Sequence, residues 1–199
     1  MKVVGLTGLI ASGKTVVAEF LHSNNIPVFE ADKAIRMLYA ENQEVISSVA
    51  KVCPSAFVDG VIDRKVLRKC IFSNKSLLSE LEIVTLKFVR ELLLDFISST
   101  VEGLLVIEMP LLFESKLYKY CDYIISIVSD KSIREHRAVN MRNMSLDLFN
   151  FLNDRQIGDD ERIAKSDFVL FNNETEDLLI ESVKKILQEL GKDGCFNND

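Results

Sequence analysis

Continuous apolar runs punctuate this chain at Val3 to Leu6, Ile26 to Phe29, Leu104 to Met109, Tyr123 to Val128 and Phe168 to Phe171. They do not alternate with polar residues, as strands covered on only one face would. Each therefore reads as a strand buried on both faces. Elsewhere apolar positions recur at helical spacing, predicting helices over Lys33 to Tyr39, Glu44 to Val52, Arg64 to Ile71, Leu77 to Ile97 and Glu176 to Leu190. Strands alternating with helices give an α/β class: a parallel five-stranded sheet flanked by helices and joined by right-handed crossovers.

The second and third runs are separated by far more chain than one crossover needs. Residues from about 32 to 99 are expected to form a helical insertion beside the strand ends, where open α/β sheets bind ligands, with a turn at Asp59-Gly60. The core of this single domain is expected over about 1–31, 100–130 and 166–191. Between its last two parts, about 131–165, lies an arginine-rich segment with Arg134, Arg137, Arg142, Arg155 and Arg162. Some of these are expected simply to be solvated; the segment is also where a closing lid would be sought. Gly191 ends the final helix, and Lys192 to Asp199 read as a frayed polar tail.

The first strand leads into Gly8-Leu9-Ile10-Ala11-Ser12-Gly13-Lys14-Thr15, which satisfies the phosphate-loop pattern. Gly8 and Gly13 permit a tight turn that aims successive N–H groups at anionic oxygens. Lys14 adds a point charge near the β- and γ-phosphates, and the Thr15 hydroxyl can hold Mg²⁺. A helix starting at Thr15 turns the positive end of its dipole toward the same place. A nucleoside triphosphate is the expected ligand. A secretory signal is the rival reading, since Lys2 precedes an apolar stretch that ends in small residues. The helical spacing of Val16, Val17, Phe20 and Leu21 argues instead for a folded domain.

Composition narrows the classes further. Of 199 residues, 48% are hydrophobic and 27% charged, an ordinary globular balance. The net charge of −6 argues against a general nucleic-acid partner. The most apolar stretch, Leu104 to Phe113, is too short to span a membrane and contains Glu108. Cys53, Cys70, Cys121 and Cys195 form no C-x-x-C pair, so a reduced cytoplasmic protein without a disulfide framework is expected. His22 reads as a residue near a helix C-terminus and His136 as a surface residue, and no transition-metal site suggests itself.

A phosphate loop does not by itself separate a kinase from a switch or a regulatory nucleotide-binding module. The switch reading lacks support, because no D-x-x-G element occurs and Asn74-Lys75-Ser76-Leu77 lacks the aspartate of a guanine reader. Asp32, at the end of the second strand in Glu30-Ala31-Asp32, can accept the proton of an attacking hydroxyl. It can equally cap the helix that follows. Glu108, at the end of the third strand, can bind Mg²⁺ through water or serve as a buried carboxylate that orders the next loop.

Together these residues resemble the dephospho-CoA kinases. The resemblance runs from Val4 to about Asn172. It rests on Gly5-Leu6-Thr7-Gly8 with the phosphate loop, on Glu30-Ala31-Asp32, and on Gly60 to Phe72 with Asp63-Arg64 and Leu67-Arg68. It continues through Pro110-Leu111-Leu112-Phe113-Glu114 with Leu117-Tyr118, then Gln156, and Ser166-Asp167-Phe168-Val169-Leu170 leading to Asn172. Departures from the family are Leu9 and Ala11 in place of glycines, Glu30 for an aspartate, and Thr85-Leu86 where a His-Pro pair is common. Arg137 and Arg142 also stand one residue further apart than usual, and Asn143 replaces an aspartate.

The resemblance implies a P-loop kinase fold and a cytoplasmic monomer that phosphorylates dephospho-CoA with ATP and Mg²⁺. It implies no nucleic-acid or membrane partner. It implies Asp32, Lys14 and Arg142 as catalytic residues. Gly8, Ala11, Ser12, Gly13, Lys14, Thr15 and Val16, with Arg142 and Asn172, would bind ATP. Thr7, Asp32, Arg64 and Leu111 would bind the acceptor, and Thr15 and Glu108 would serve the metal. Another small-metabolite or nucleoside monophosphate kinase, and a nucleotide-dependent regulatory module, are the alternatives.

Overall fold

A computed structural model describes residues 1–74, 76–101 and 103–191. The sequence readings at Lys75, Cys195 and the tail from Lys192 to Asp199 lie outside the described residues. The chain forms two compact units, one built from Met1–Phe29 and the chain from Thr100 onward, the other from Glu30–Ser99.

In the first unit, β1 (Lys2–Gly8) leads through the phosphate loop to α1 (Lys14–Ser23) and then to β2 (Val28–Glu30), which ends at the junction of the two units. The second unit contains α2 (Ala31–Glu41), α3 (Gln43–Val52), β3 (Phe57–Val58), β4 (Val61–Ile62), α4 (Arg64–Ser73) and α5 (Ser76–Ser99). The chain then returns to the first unit with β5 (Leu104–Glu108), β6 (Tyr123–Val128), α6 (Lys131–His136) and a π-helical turn, Arg137–Met141. Next come α7 (Leu146–Asn153), α8 (Asp159–Ala164), β7 (Phe168–Phe171) and α9 (Glu176–Glu189).

The sheet order is β2-β5-β1-β6-β7. β1 pairs in parallel with β5 and β6, and β6 with β7, as the continuous apolar runs predict. The expected two-sided burial fails at β7, an edge strand whose Phe171 is exposed. Residues Val3 to Gly8 are all buried, so β1 is covered on both faces. One face packs Val4, Leu6, Val106 and Ile127 with Val17 and Leu21 of α1 and Val183 and Leu187 of α9. At Gly5, a Cβ would stand 2.6 Å from Leu112 and 2.9 Å from the Cys121 sulfur. The loop after β5 can therefore approach β1 closely only because this residue is glycine.

In the helical unit, α5 packs against α2, α3 and α4. Tyr39 and Thr85 link α2 to α5 through their hydroxyls at 3.5 Å. The expected turn at Asp59-Gly60 is more than a turn. Both residues have positive φ, 49° and 88°, and they join β3 and β4 as an antiparallel hairpin. An Asp-Gly pair flanked by apolar residues favours such a hairpin, which here interrupts the helical series. That hairpin also bears on the cysteines. Cys53, just after α3, and Cys70 of α4 are disulfide-bonded, contrary to the expectation from their spacing. Their separation of 17 residues has no motif meaning, and folding of the intervening hairpin brings their Cα atoms within 6.8 Å.

Candidate nucleotide-binding site

The loop between β1 and α1 reverses direction with two left-handed residues, Ala11 (φ 60°) and Gly13 (φ 114°). Alanine in that region is strained, as functional loops often are. The Ser12 N–H donates to the Leu9 carbonyl at 3.1 Å and closes the turn. Lys14 is buried, and its Nζ donates to the carbonyls of Gly8 at 2.9 Å and Leu9 at 3.2 Å. Helix α1 starts at Lys14, one residue earlier than the sequence reading placed it, with Gly13 at its N-cap. It has no acidic residue in its first turn, which leaves the positive end of its dipole unneutralised by side chains. Thr15 is exposed and Val16 half-buried at this same end.

Asn172, the first residue after β7, braces the cradle. Its Nδ2 donates to the Ser12 carbonyl at 2.7 Å, and its own N–H donates to Val128 at 2.8 Å. Arg137 in turn holds Asn172, donating to its carbonyl at 3.1 Å and to its Oδ1 at 3.3 Å. Arg142 lies at the far end of the π-helical turn and is exposed. The two arginines thus differ: Arg137 is built into the loop's support, whereas Arg142 is free to meet solvent.

Two other arginines of this segment are buried rather than solvated. Arg134 donates to the Ser129 carbonyl and to Asn153 Oδ1, each at 2.8 Å. Arg162 is fully buried and donates to the Thr7 hydroxyl at 2.8 Å and to the Ile157 carbonyl at 3.2 Å. Glu114 lies 3.9 Å from the same guanidinium. Burial pushes both guanidinium groups below their ordinary value, opposed at Arg162 by Glu114 and Asp159 and at Arg134 by Asp159. These residues carry no sequence signal apart from being arginine, and their role comes from burial alone. His136, by contrast, is exposed as expected, and His22 lies in the last turn of α1.

Thr7 is also fully buried, and its hydroxyl is engaged twice, accepting from Arg162 and donating to the Pro110 carbonyl at 3.3 Å. Leu111 follows Pro110 and is half-buried. Glu108 ends β5 beside Leu6 of β1 and is buried. Among the described residues no group of three or more His, Cys, Asp or Glu gathers to cage a metal. The exposed Thr15 hydroxyl and the Glu108 carboxylate are hard oxygen donors of the class that Mg²⁺ accepts alongside phosphate oxygens and water. The donor set therefore fits that ion.

Asp32 and Arg64 belong to the helical unit. Asp32 is exposed in the first turn of α2, where Glu30 rather than Asp32 occupies the N-cap. Arg64 opens α4 behind its N-cap Asp63, whose carboxylate accepts from Lys65 at 2.8 Å and Val66 at 3.1 Å. Desolvation and the nearby Arg36 push the Arg64 guanidinium down, Asp32 opposes, and Arg68 adds to the lowering. Three arginines and one carboxylate thus share a corner of this unit.

The model of the dephospho-CoA kinase family matches residues 2–177. The chain belongs to the dephospho-CoA kinase family. Dephospho-CoA kinase of Bartonella henselae is 32% identical over 195 residues, spanning 96% of this chain and 100% of that protein. The crystal structure of a Thermus thermophilus protein matches with a TM-score of 0.79 at 30% identity, covering 95% of this chain and 97% of the other. Dephospho-CoA kinase from Campylobacter jejuni matches with a TM-score of 0.69 at 27% identity, covering 96% and 98%. As a dephospho-CoA kinase family member, the chain is an ATP-dependent phosphotransferase with an alcohol acceptor, not a regulatory module.

Proposed function

We propose that this chain transfers the γ-phosphoryl group of ATP to the ribose 3′-hydroxyl of dephospho-CoA, the last step of coenzyme A biosynthesis, with a division of labour among three sets of residues. Supporting this reading is one conjunction: a phosphate loop shaped for a triphosphate, in a chain matched to the family over residues 2–177.

The backbone N–H groups of Ala11 and of Gly13 to Val16 take the phosphate oxygens, those of Ile10 and Ser12 being held by Gln156 and Leu9, and Lys14 exchanges its loop carbonyls for the β- and γ-phosphates. Thr15 and Glu108 would hold the Mg²⁺ that accompanies ATP, and the ion would neutralise part of the phosphate charge. Asp32 orients the 3′-hydroxyl and accepts its proton as the oxygen forms its new bond to phosphorus. The bond between that phosphorus and the bridging oxygen breaks, and ADP departs with the electron pair. Arg64 receives anionic groups of the acceptor, and Leu111 and Thr7 shape the acceptor side. Arg142 meets the transferring group when the 131–165 segment closes, excluding water that would otherwise hydrolyse ATP. Asn172 acts on the nucleotide by bracing the phosphate loop. The same reading makes the protein a cytoplasmic enzyme acting as a monomer.

The test is incubation with ATP–Mg²⁺ and a panel of hydroxyl acceptors, with the product identified by mass. Phosphorylated dephospho-CoA is expected. Transfer to shikimate or nucleoside monophosphates, with none to dephospho-CoA, would overturn the assignment.

A further inference from the structure

Gln156 stands between α7 and α8 and contacts two loops with one side chain. Its Oε1 accepts from the Ile10 N–H at 2.8 Å. Its Nε2 donates to the Pro110 carbonyl at 2.9 Å and to the Gly8 carbonyl at 3.4 Å. A carboxamide offers one acceptor oxygen and two N–H donors. Here its oxygen and both N–H groups engage backbone, two groups in the phosphate loop and one in the turn after β5. The next residue is fastened as well, because the Ile157 N–H donates to Glu114 Oε1 at 2.8 Å.

We infer that Gln156 is a positioning residue for phosphoryl transfer, setting the phosphate loop and the Pro110-Leu111 turn in one register through its amide. The Gly8 carbonyl shows why this matters. It accepts from both Lys14 Nζ and Gln156 Nε2. When Lys14 turns to the phosphates, Gln156 keeps that carbonyl satisfied and the loop keeps its shape, at no cost of an unpaired buried acceptor. The nucleotide side of this inference stands on the phosphate loop alone. Its acceptor side rests on the dephospho-CoA reading, since Leu111 is assigned through it.

Gln156→Glu separates positioning from mere packing. The variant keeps the size of the side chain and the acceptor for Ile10. As a carboxylate, however, it points oxygen at two carbonyl oxygens, and only its protonated form regains a donor. Affinity for a non-hydrolysable ATP analogue is expected to fall about tenfold near neutral pH, the net effect of losing the two bonds that Nε2 donates. Relative to the wild type measured at the same pH, it should recover at mildly acidic pH, the ratio cancelling titration of the analogue's own phosphates. Gln156→Met removes the hydrogen bonds without adding charge, and should weaken the analogue at every pH. Wild-type affinity in either folded variant overturns the inference. So does a loss that follows the melting temperature and shows no recovery on acidification in the Glu variant, which would mark Gln156 as a packing residue only. Should Gln156→Glu fail to fold, Gln156→Met decides by the affinity arm. These binding measurements contain no acceptor, so failure of the wild type to phosphorylate dephospho-CoA would sink the proposed function and leave this result standing.

Discussion

The side-chain amide of Asn172 donates to the carbonyl of Ser12 at 2.7 Å, joining residues 160 positions apart at the mouth of α1. A Cβ on the neighbouring Gly13 would stand 2.3 Å from the same Nδ2. Glycine is thus required at position 13 twice, for its left-handed φ of 114° and for the space Asn172 occupies. Gly13→Ala should cost about 3 kcal/mol, combining left-handed strain with overpacking. Chemical denaturation would measure it, with nucleotide titration alongside. A loss below about 1 kcal/mol would mean that Asn172 relaxes freely away from the loop.

Lys14→Ala should damage catalysis far more than stability. Removing Nζ frees two loop carbonyls, one of which retains Gln156, so the fold should lose only about 1 kcal/mol. Turnover should fall at least about a hundredfold, since a preorganised charge beside the transferring group is lost. Steady-state kinetics on a variant with a native-like melting curve is the check.

Arg137 and Arg142 should separate cleanly. Arg142 is exposed, so Arg142→Ala should leave stability unchanged and lower kcat far more than nucleotide affinity, by about 10³-fold, the lower end for a phosphoryl-contacting arginine. Arg137 supports Asn172, so Arg137→Ala should weaken nucleotide binding itself. Reversal of this pattern would move the catalytic role to Arg137.

Asp32→Asn should spare ATP binding and lower kcat by about 10²-fold, the lower end of general-base effects, because a loose transition state needs limited help at the nucleophile. Asp32 is not the N-cap of α2, so loss of a cap cannot explain such a drop. Near-normal kcat in transfer assays would send the search for the base elsewhere.

The cysteines give a chemical readout. Reducing the Cys53–Cys70 bridge should cost about 3 kcal/mol, the loop-entropy value for a short closure. Melting with and without reductant, compared with Cys70→Ser, would show it; identical curves would contradict the pairing. Burial pushes the Cys121 thiol up to about 12, with Asp122 adding to the shift. An unfolded thiol ionises near about 8.5, so this group's stabilisation is complete below that pH and is lost as pH rises toward the folded value. Cys121 should resist alkylation in the native protein at mildly alkaline pH, as peptide mapping can establish.

Local pattern was enough for the sheet, the phosphate loop and most helices, because backbone hydrogen bonding and two-sided burial act over a few residues. Leu104 to Met109 and Tyr123 to Val128 could hardly be anything but interior strands, and Gly13-Lys14-Thr15 declared its chemistry by type and spacing alone. Asp59-Gly60 is equally legible as a hairpin by residue type and apolar flanks, even though helices surround it. Other features had no local signal. Arg134 and Arg162 look like any surface arginines until the fold buries them, and Cys53 finds Cys70 only once a hairpin closes between them. Gln156 stands 146 residues from the loop N–H it accepts from. Its partners are backbone groups, which every residue carries, so nothing in the sequence says which ones a distant amide will meet. Only packing of the segment after α7 against β1 and β5 decides that.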